Sequence, residues 1–412
     1  MTVAQRIARR VVLSLLERMR AGQLTILEGE RALVLGHGSP RATVRVNSPR
    51  LWPRLLHGSR GMAEAYMQGL WESSDLTAVV RVATHNTRSL DEWRRRVAPA
   101  RVPLQAARGI RTRNTPARSR RDIAAHYDLG NELFALMLDE TMMYSSAYFP
   151  SRGMTLAQAS RAKLELVYRK LDLRAGDHVL EIGTGWGGFA VHAARTRGCR
   201  VTTTTISRAQ YEHARARVRT AGVADRVTVL CEDYRDLRGR YDKLVSIEMI
   251  EAVGWRDFDN FFARCSHLLA EDGSMLLQAI VIDNRAYKVE KASRSFIRTH
   301  IFPDGCLPSL EVIARCVARR TDMRTVGLSD LTPHYAETLR RWRANFEAAG
   351  ARLEDLGYGE RFRRLWRMYL AYCEAGFAER RIGAVQMMLA KPRWRQHAGL
   401  ASAHQEPRSL AL

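Results

Sequence analysis

The segment that most limits how this chain can fold is His178-Val-Leu-Glu-Ile-Gly183-Thr-Gly185-Trp-Gly187-Gly188-Phe-Ala-Val-His-Ala-Ala194. An apolar strand runs into a glycine-rich turn, and the turn opens a helix. Glycine lets the backbone turn tightly and leaves no Cβ to block a ligand lying against it. Glycines at 183, 185, 187 and 188 are more than a bare strand-to-helix turn needs, so the motif describes the floor of a ligand site. Which ligand stays open, because Gly183-x-Gly185-x-x-Gly188 also satisfies the dinucleotide pattern.

The strands that follow decide between the two ligands. A dinucleotide site requires an acid at the end of the second strand to hold the ribose hydroxyls. Here that strand reads Val201-Thr-Thr-Thr-Thr205-Ile206-Ser207 and continues to Gln210, so Thr205 and Gln210 offer neutral hydrogen-bonding groups instead. A third strand, Val227 to Cys231, ends at Glu232-Asp233-Tyr234. That places a carboxylate for an exocyclic amine and a ring for a purine, although capping or solvation would also account for Asp233. A fourth strand, Tyr241 to Ile247, leads to Glu248-Met-Ile-Glu251, and a fifth runs from Ser274 to Ile280. Ligands of such sheets bind at the carboxyl ends of the strands, so these motifs converge on one cleft suited to S-adenosylmethionine.

The rest of the chain suggests a second, smaller domain. Residues 1 to 93 hold a basic amphipathic helix at about Val3 to Met19, a β-like segment Ala42 to Val46 and a helical segment Gly61 to Met67. Residues 94 to 121 contain ten arginines, three prolines and no acid, a composition that reads as a linker or arm. From Asp122 to about residue 395 strands and helices alternate, and 396 to 412 reads as a frayed tail. The six cysteines are scattered without ligand spacing, so no metal site is expected. The start of the chain only faintly imitates a signal peptide, since Glu17 and Arg18 interrupt its apolar run. A formal net charge of +23 attracts polyanions, either nucleic acid or anionic phospholipid, and charge alone does not choose between them.

The ordered blocks resemble the cyclopropane-fatty-acyl-phospholipid and mycolic acid cyclopropane synthases. They are His126-Tyr-Asp-Leu-Gly-Asn131, Met143-Tyr-Ser-Ser-Ala-Tyr-Phe149, Glu181 to Gly188, Thr205 to Gln210, Asp233-Tyr-Arg-Asp236, Ile301 to Ser309 and Pro333 to Leu339. The resemblance runs from about Ala124 to Leu389 and extends weakly into the amino-terminal region. Glu248 to Gly254, Gln278 to Ile280 and Pro333 to Tyr335 look most like the branch associated with tuberculostearic acid. The implied fold is an α/β, Rossmann-like class I methyltransferase sheet with helical acyl-binding insertions, plus a small α+β amino-terminal domain. The implied cofactor contacts are Tyr127, Tyr144, Ser145, Glu181, Gly183, Thr184, Gly185, Gly187, Thr205, Ile206, Gln210, Asp233 and Tyr234.

The implied chemistry is methylation of a cis double bond in a phospholipid acyl chain, followed by proton removal that gives a cyclopropane or a methylene or methyl branch. The resemblance assigns the base to a bound bicarbonate held by Ser146, Glu251, Gln278, Ile280 and Tyr335. Ser146 stands where many members have Cys, and Gln278 where many have His; a weaker proton acceptor would favour a methylene product. Cys373 matches a cysteine once regarded as catalytic, but alkene methylation needs no thiol, and a core or pocket-lining role suits it better. The stripe Phe362, Leu365, Trp366, Tyr369, Tyr372, Phe377 reads equally as core packing or as the wall of an acyl tunnel.

The implied partners are a phospholipid surface with unsaturated chains, a second copy of the chain, and a separate reductase if the product is a methylene lipid. Location is expected to be cytoplasmic, at the inner face of the membrane. Two other classes compete. A nucleic-acid methyltransferase suits the charge but lacks a motif for a flipped base, and a catalytically inactive lipid-binding relative would suit the departures at Ser146 and Gln278.

Overall fold

The computed structural model describes residues 1–97, 129–303 and 305–395. Tyr127, the basic segment beyond Val97 and the tail 396–412 lie outside the described residues. The chain forms two units, and neither is a single stretch of sequence. One gathers Met1–Thr112, Lys288–Pro303 and Leu339–Ile382; the other gathers Arg113–Tyr287, Asp304–Thr338 and Gly383–Leu412. The sequence suggested consecutive blocks instead. Two helical segments from the second half join the amino-terminal unit because their apolar faces pack on its helices.

In that first unit, α1 (Val3–Leu16) begins at a reciprocal cap. Thr2 Oγ1 accepts from Gln5 N at 3.2 Å, while Gln5 Oε1 accepts from Thr2 N at 2.8 Å. Strands β1 (Gly22–Glu28), β2 (Arg31–His37), β3 (Arg41–Val46) and β4 (Trp71–Glu72) form a sheet in the order β2-β1-β3-β4. Leu24 and Ile26 of β1 alternate into the core, as a half-buried strand requires. Helix α2 (Leu51–Leu55) meets α3 (Gly58–Met67) so closely that a Cβ on Gly61 would stand 1.9 Å from the Arg54 carbonyl oxygen. Helix α4 (Leu76–Val97) continues through the first arginines of the basic segment.

The helix Glu360–Ala378 packs on α4 and α3 within the same unit. Its buried Glu374 accepts from Arg343 Nε at 2.9 Å and lies 3.4 Å from Thr77 Oγ1. Arg364 donates to the Tyr66 carbonyl at 2.7 Å. Trp366, Tyr369 and Phe377 of the aromatic stripe are buried, and Phe362, Leu365 and Tyr372 half-buried; Trp366 stacks on Phe362 at 5.5 Å and meets Tyr369 edge-on at 5.1 Å.

The second unit is built on a seven-stranded sheet: β5 (His178–Ile182), β6 (Arg200–Thr204), β7 (Val227–Leu230), β8 (Tyr241–Ile247), β9 (Leu269–Ile282), β10 (Arg324–Asp330) and β11 (Ile382–Ala390). Their order is β10-β11-β9-β8-β5-β6-β7; β9, β8, β5, β6 and β7 pair in parallel, and β10 pairs antiparallel to β11. Successive residues enter opposite cores, since side chains alternate along a strand. Leu180, Leu244 and Leu277 join Phe258, Phe261 and Ile313 in one cluster. Val179, Val245 and Leu276 join Val167, Phe189 and Val201 in the other. Helices therefore cover both faces, and the ends of the parallel strands remain available for ligands.

The α2–α3 contact gives a test of the amino-terminal unit. Gly61→Ala should lower stability by about 1–3 kcal/mol or more through overpacking. Urea unfolding would measure it, and an unchanged midpoint would contradict the close approach.

Candidate active site

Four segments assemble the site at the carboxyl ends of β5, β6, β8 and β9. The turn after β5 is pinned by Gly183 N and Thr184 N, which both donate to the Thr204 carbonyl at 3.0 Å. Its glycines have different reasons to be glycine. A Cβ on Gly188 would stand 2.5 Å from the Thr141 carbonyl oxygen, so that position is fixed by chain packing. Gly183, Gly185 and Gly187 have φ of 106°, 52° and 80°. A Cβ on Gly185 would meet nothing within 4 Å, so the backbone there floors open space.

Around this floor the polar residues are buried and engaged. Glu181 accepts from Thr203 Oγ1 at 2.6 Å, and Thr203 Oγ1 lies 2.7 Å from Thr184 Oγ1. Burial pushes the Glu181 carboxyl up to about 8, against the pull of the Thr203 hydrogen bond and Lys163. Thr205 Oγ1 donates to Gln210 Oε1 at 2.8 Å and accepts from Ser207 N at 3.1 Å; Ile206 lies between them in the chain. Ser145 accepts from Lys163 Nζ at 2.8 Å, a fully buried lysine whose pKa burial lowers to about 8. Tyr144 packs edge-on against Phe134 at 5.1 Å.

Asp233 reaches the end of β7, but its carboxylate grips Arg235, accepting from Nε and from a terminal nitrogen at 2.8 Å each. The Tyr234 ring packs edge-on to Phe261 at 5.5 Å, and its hydroxyl is buried without a hydrogen-bond partner among the described residues. The sequence expects this pair to meet a nucleobase.

A second cluster borders the floor. Met249 lies 3.3 Å from where a Gly183 Cβ would stand, and its chain neighbour Glu248 is the centre of the cluster. Glu248 Oε1 accepts from Ser146 N at 2.9 Å and from Gln278 Nε2 at 2.8 Å. Its Oε2 accepts from the Tyr335 hydroxyl at 2.6 Å. Gln278 lies on β9, Tyr335 near the start of the helix Thr332–Ala348, and Ser146 in the irregular segment 142–150. Ala147 N donates to Thr338 Oγ1 at 3.1 Å, which holds that segment to the same helix. Glu248 has a φ of 51°, a left-handed conformation that costs a non-glycine residue roughly 1–2 kcal/mol.

The remaining expected residues divide. Ser146 contributes its backbone N–H, since its hydroxyl donates to the Ala147 carbonyl at 2.9 Å. Ile280 donates its N–H to Glu251 Oε1 at 2.5 Å. Glu251 Oε2 is buried with no hydrogen-bond partner among the described residues. Burial and the adjacent Glu248 charge push the Glu251 carboxyl up to about 8, so it is largely protonated at neutral pH. Cys373 sits on the helix Glu360–Ala378 of the other unit, where burial pushes its thiol up to about 12 and leaves it a poor nucleophile. The sequence reading passed over Glu248 as a site residue; its signal was an acid directly after β8, three residues before Glu251.

Residues 114–387 match the family model described as mycolic acid cyclopropane synthetase. The chain is 39% identical over 371 residues to the tuberculostearic acid methyltransferase of Mycobacterium tuberculosis, covering 86% of this chain and 85% of the relative. It is 35% identical over 368 residues to the cyclopropane-fatty-acyl-phospholipid synthase of Escherichia coli, covering 88% and 91%. A mycolic acid cyclopropane synthase solved with SAH and CTAB superposes with a TM-score of 0.62 at 31% identity, covering 66% of this chain and 98% of that one.

Two outcomes test the site. Gly185→Val should abolish S-adenosylmethionine binding measured by calorimetry while circular dichroism shows a retained fold; undiminished binding would place the cofactor elsewhere. For Glu251, the folded pKa lies above the ordinary carboxylate value. The native state therefore holds a proton that the unfolded state loses between about pH 4.5 and 8, and stability falls as pH rises through that window. Glu251→Gln removes this dependence, so its melting temperature should gain on the wild type from pH 5 to pH 8. A constant difference would contradict the protonated carboxyl.

Proposed function

The chain belongs to the mycolic acid cyclopropane synthetase family, and from that premise we propose that it methylates the cis double bond of an unsaturated fatty acyl chain carried by a phospholipid. The observation that carries the reading is the carboxylate cluster at the ends of β8 and β9, which places a proton acceptor beside an open glycine floor. That floor fits S-adenosylmethionine, because a Cβ at Gly185 would enter the space the ligand needs. Bound there, S-adenosylmethionine supplies an electrophilic methyl group.

The protein's own residues then orient, exclude water and take a proton. Gly185 keeps the floor clear, while Ser145, Glu181, Thr184, Thr205 and Gln210 line it with groups held by hydrogen bonds to Lys163, Thr203 and one another. Fixed dipoles need no reorganisation when charge moves in the reaction. The neutral Glu251 carboxyl holds Ile280 N–H and presents an unpartnered oxygen. The donors expected to hold bicarbonate are engaged by Glu248, so these residues do not fit a second anion, and no step is routed through one.

The proposed product is the methylene-branched chain. Gln278 carries no titratable group, and the relative named for tuberculostearic acid is 39% identical. Reduction of that methylene to a methyl branch adds two electrons and two protons, which requires a separate reductase.

The lipid is proposed to be reached at the membrane surface. No helix among the described residues is long and apolar enough to cross a membrane. Helix α1 buries Ala8 and Val12 but exposes Val3, Ile7, Val11 and Leu15, spaced one turn apart, with Arg6, Arg10 and Arg18 exposed among them. An apolar stripe flanked by arginines suits the boundary between headgroups and acyl chains of an anionic leaflet.

Vesicles containing an anionic phospholipid with cis-monounsaturated chains, incubated with the protein and S-adenosylmethionine, should yield acyl chains heavier by one CH2. Olefinic methylene signals in the proton NMR spectrum identify the branch, whereas cyclopropane signals alone would refute that product. Ile7→Glu with Val11→Glu should weaken vesicle sedimentation about tenfold or more and spare S-adenosylmethionine binding. Unchanged sedimentation would remove α1 from the docking surface.

A further inference from the structure

We infer that Glu248 is the proton acceptor of the reaction, an internal carboxylate standing where the family resemblance assigns an exogenous anion. The inference rests on the lipid-methylation reading and adds to it the identity of the base. Three donors from three separate segments converge on this carboxylate: Ser146 N at 2.9 Å, Gln278 Nε2 at 2.8 Å and the Tyr335 hydroxyl at 2.6 Å. All three were expected to hold a bicarbonate. An ionised carboxylate offers about four acceptor positions, and Oε1 uses two of its own while Oε2 accepts from Tyr335. Glu248 is half-buried as a residue, and its chain neighbour Met249 lies 3.3 Å from where a Gly183 Cβ would stand, so the carboxylate borders the glycine floor.

The polarity of the cluster is fixed from outside it. Buried Lys170 Nζ donates to Gln386 Oε1 at 2.9 Å, Gln386 Nε2 donates to Gln278 Oε1 at 3.0 Å, and Gln278 Nε2 donates to Glu248. A lysine ammonium only donates and a carboxylate only accepts, so both amides are ordered in one direction. That direction delivers an N–H to Glu248 and stabilises it as an anion able to take a proton. Burial raises the Glu248 carboxyl above its ordinary value, as suits a proton acceptor, while the three hydrogen bonds and the Lys163 charge pull against that shift.

The alkene π pair forms the bond to the transferred methyl carbon as the methyl–sulfur bond breaks towards sulfur, which leaves a carbocation on the chain. A hydride shift moves the positive charge to the methylated carbon. Glu248 takes a proton from the new methyl group, and the C–H pair becomes the C=CH2 bond. If that pair instead closes on the cation before the shift, a cyclopropane results from the same base. The protonated carboxyl then returns its proton to water.

The experiment uses the full chain with anionic, cis-unsaturated phospholipid vesicles and S-adenosylmethionine, in buffer purged of carbon dioxide and with bicarbonate or formate added. Wild type should turn over equally in all three. Glu248→Gln, nearly the same shape, should lose about 100-fold or more in kcat, the usual range for a general base, with calorimetric S-adenosylmethionine affinity unchanged. Glu248→Gly suits the φ of 51° and leaves the three donors facing a carboxylate-sized gap. Its activity should be low in purged buffer and rise at least tenfold with bicarbonate or formate. Dependence of the wild type on bicarbonate would overturn the inference, as would a Glu248→Gln kcat within threefold of wild type. A wild type that alkylates no lipid in any buffer would instead sink the lipid-methylation reading.

Discussion

A buried carboxylate keeps its charge only when hydrogen bonds replace the water it has lost. Glu248 meets that condition by drawing one donor from each of three segments distant in sequence, and much of the second unit is arranged to supply them. β8 ends so that Glu248 N donates to the Gln278 carbonyl at 2.8 Å, which sets the two residues next to each other at the carboxyl ends of the central strands. The segment 142–150 is tied to the helix Thr332–Ala348, so Ser146 N–H and the Tyr335 hydroxyl are brought to the two oxygens of one carboxylate together. The left-handed backbone at Glu248 is the local cost of aiming a carboxylate at all of them.

The two neighbouring glutamates take different roles because their surroundings differ. Glu248 accepts from three donors and faces a lysine charge, whereas Glu251 accepts from one backbone N–H and leaves an oxygen without a partner. Two anions so close repel each other, and the one with fewer donors keeps its proton. One carboxylate accepts a proton, and its neighbour stays neutral. The glycine floor beside them needs no side chains of its own, since its task is to leave room.

The parallel part of the larger sheet was legible because β5, β7, β8 and the Ser274–Ile280 part of β9 are runs rich in apolar residues, β6 is β-branched throughout after Arg200, and the glycine motif fixes where β5 ends. β10 escaped notice because Arg324-Thr-Val-Gly-Leu-Ser-Asp330 is largely exposed and carries a bulge, and β11, its antiparallel partner, is a continuous buried run without alternation. β1 shows alternation at Leu24 and Ile26, but β2 buries only Leu35 and so left no pattern to pair with it. The discontinuous first unit had no sequence signal either, because helix Glu360–Ala378 shows an apolar face without showing which partner covers it. In the site, Ser146, Gln278 and Tyr335 were found by resemblance, and the structure brings all three around one atom group. What sequence could not supply was the direction of each polar group: the Ser146 hydroxyl turns to its own backbone, and Asp233 turns to Arg235. Lys170 and Gln386 belong to no motif, since a residue that orients another amide is defined only by distance.

The central claim is that these donors hold a carboxylate of the chain itself. A high-resolution crystal structure of the complex with S-adenosylhomocysteine, grown in bicarbonate, tests it most directly. The account predicts the Glu248 oxygens within hydrogen-bond distance of Ser146 N, Gln278 Nε2 and the Tyr335 hydroxyl, and no separate planar anion among them. A bicarbonate resting on those three donors, with the Glu248 side chain turned away, would contradict it.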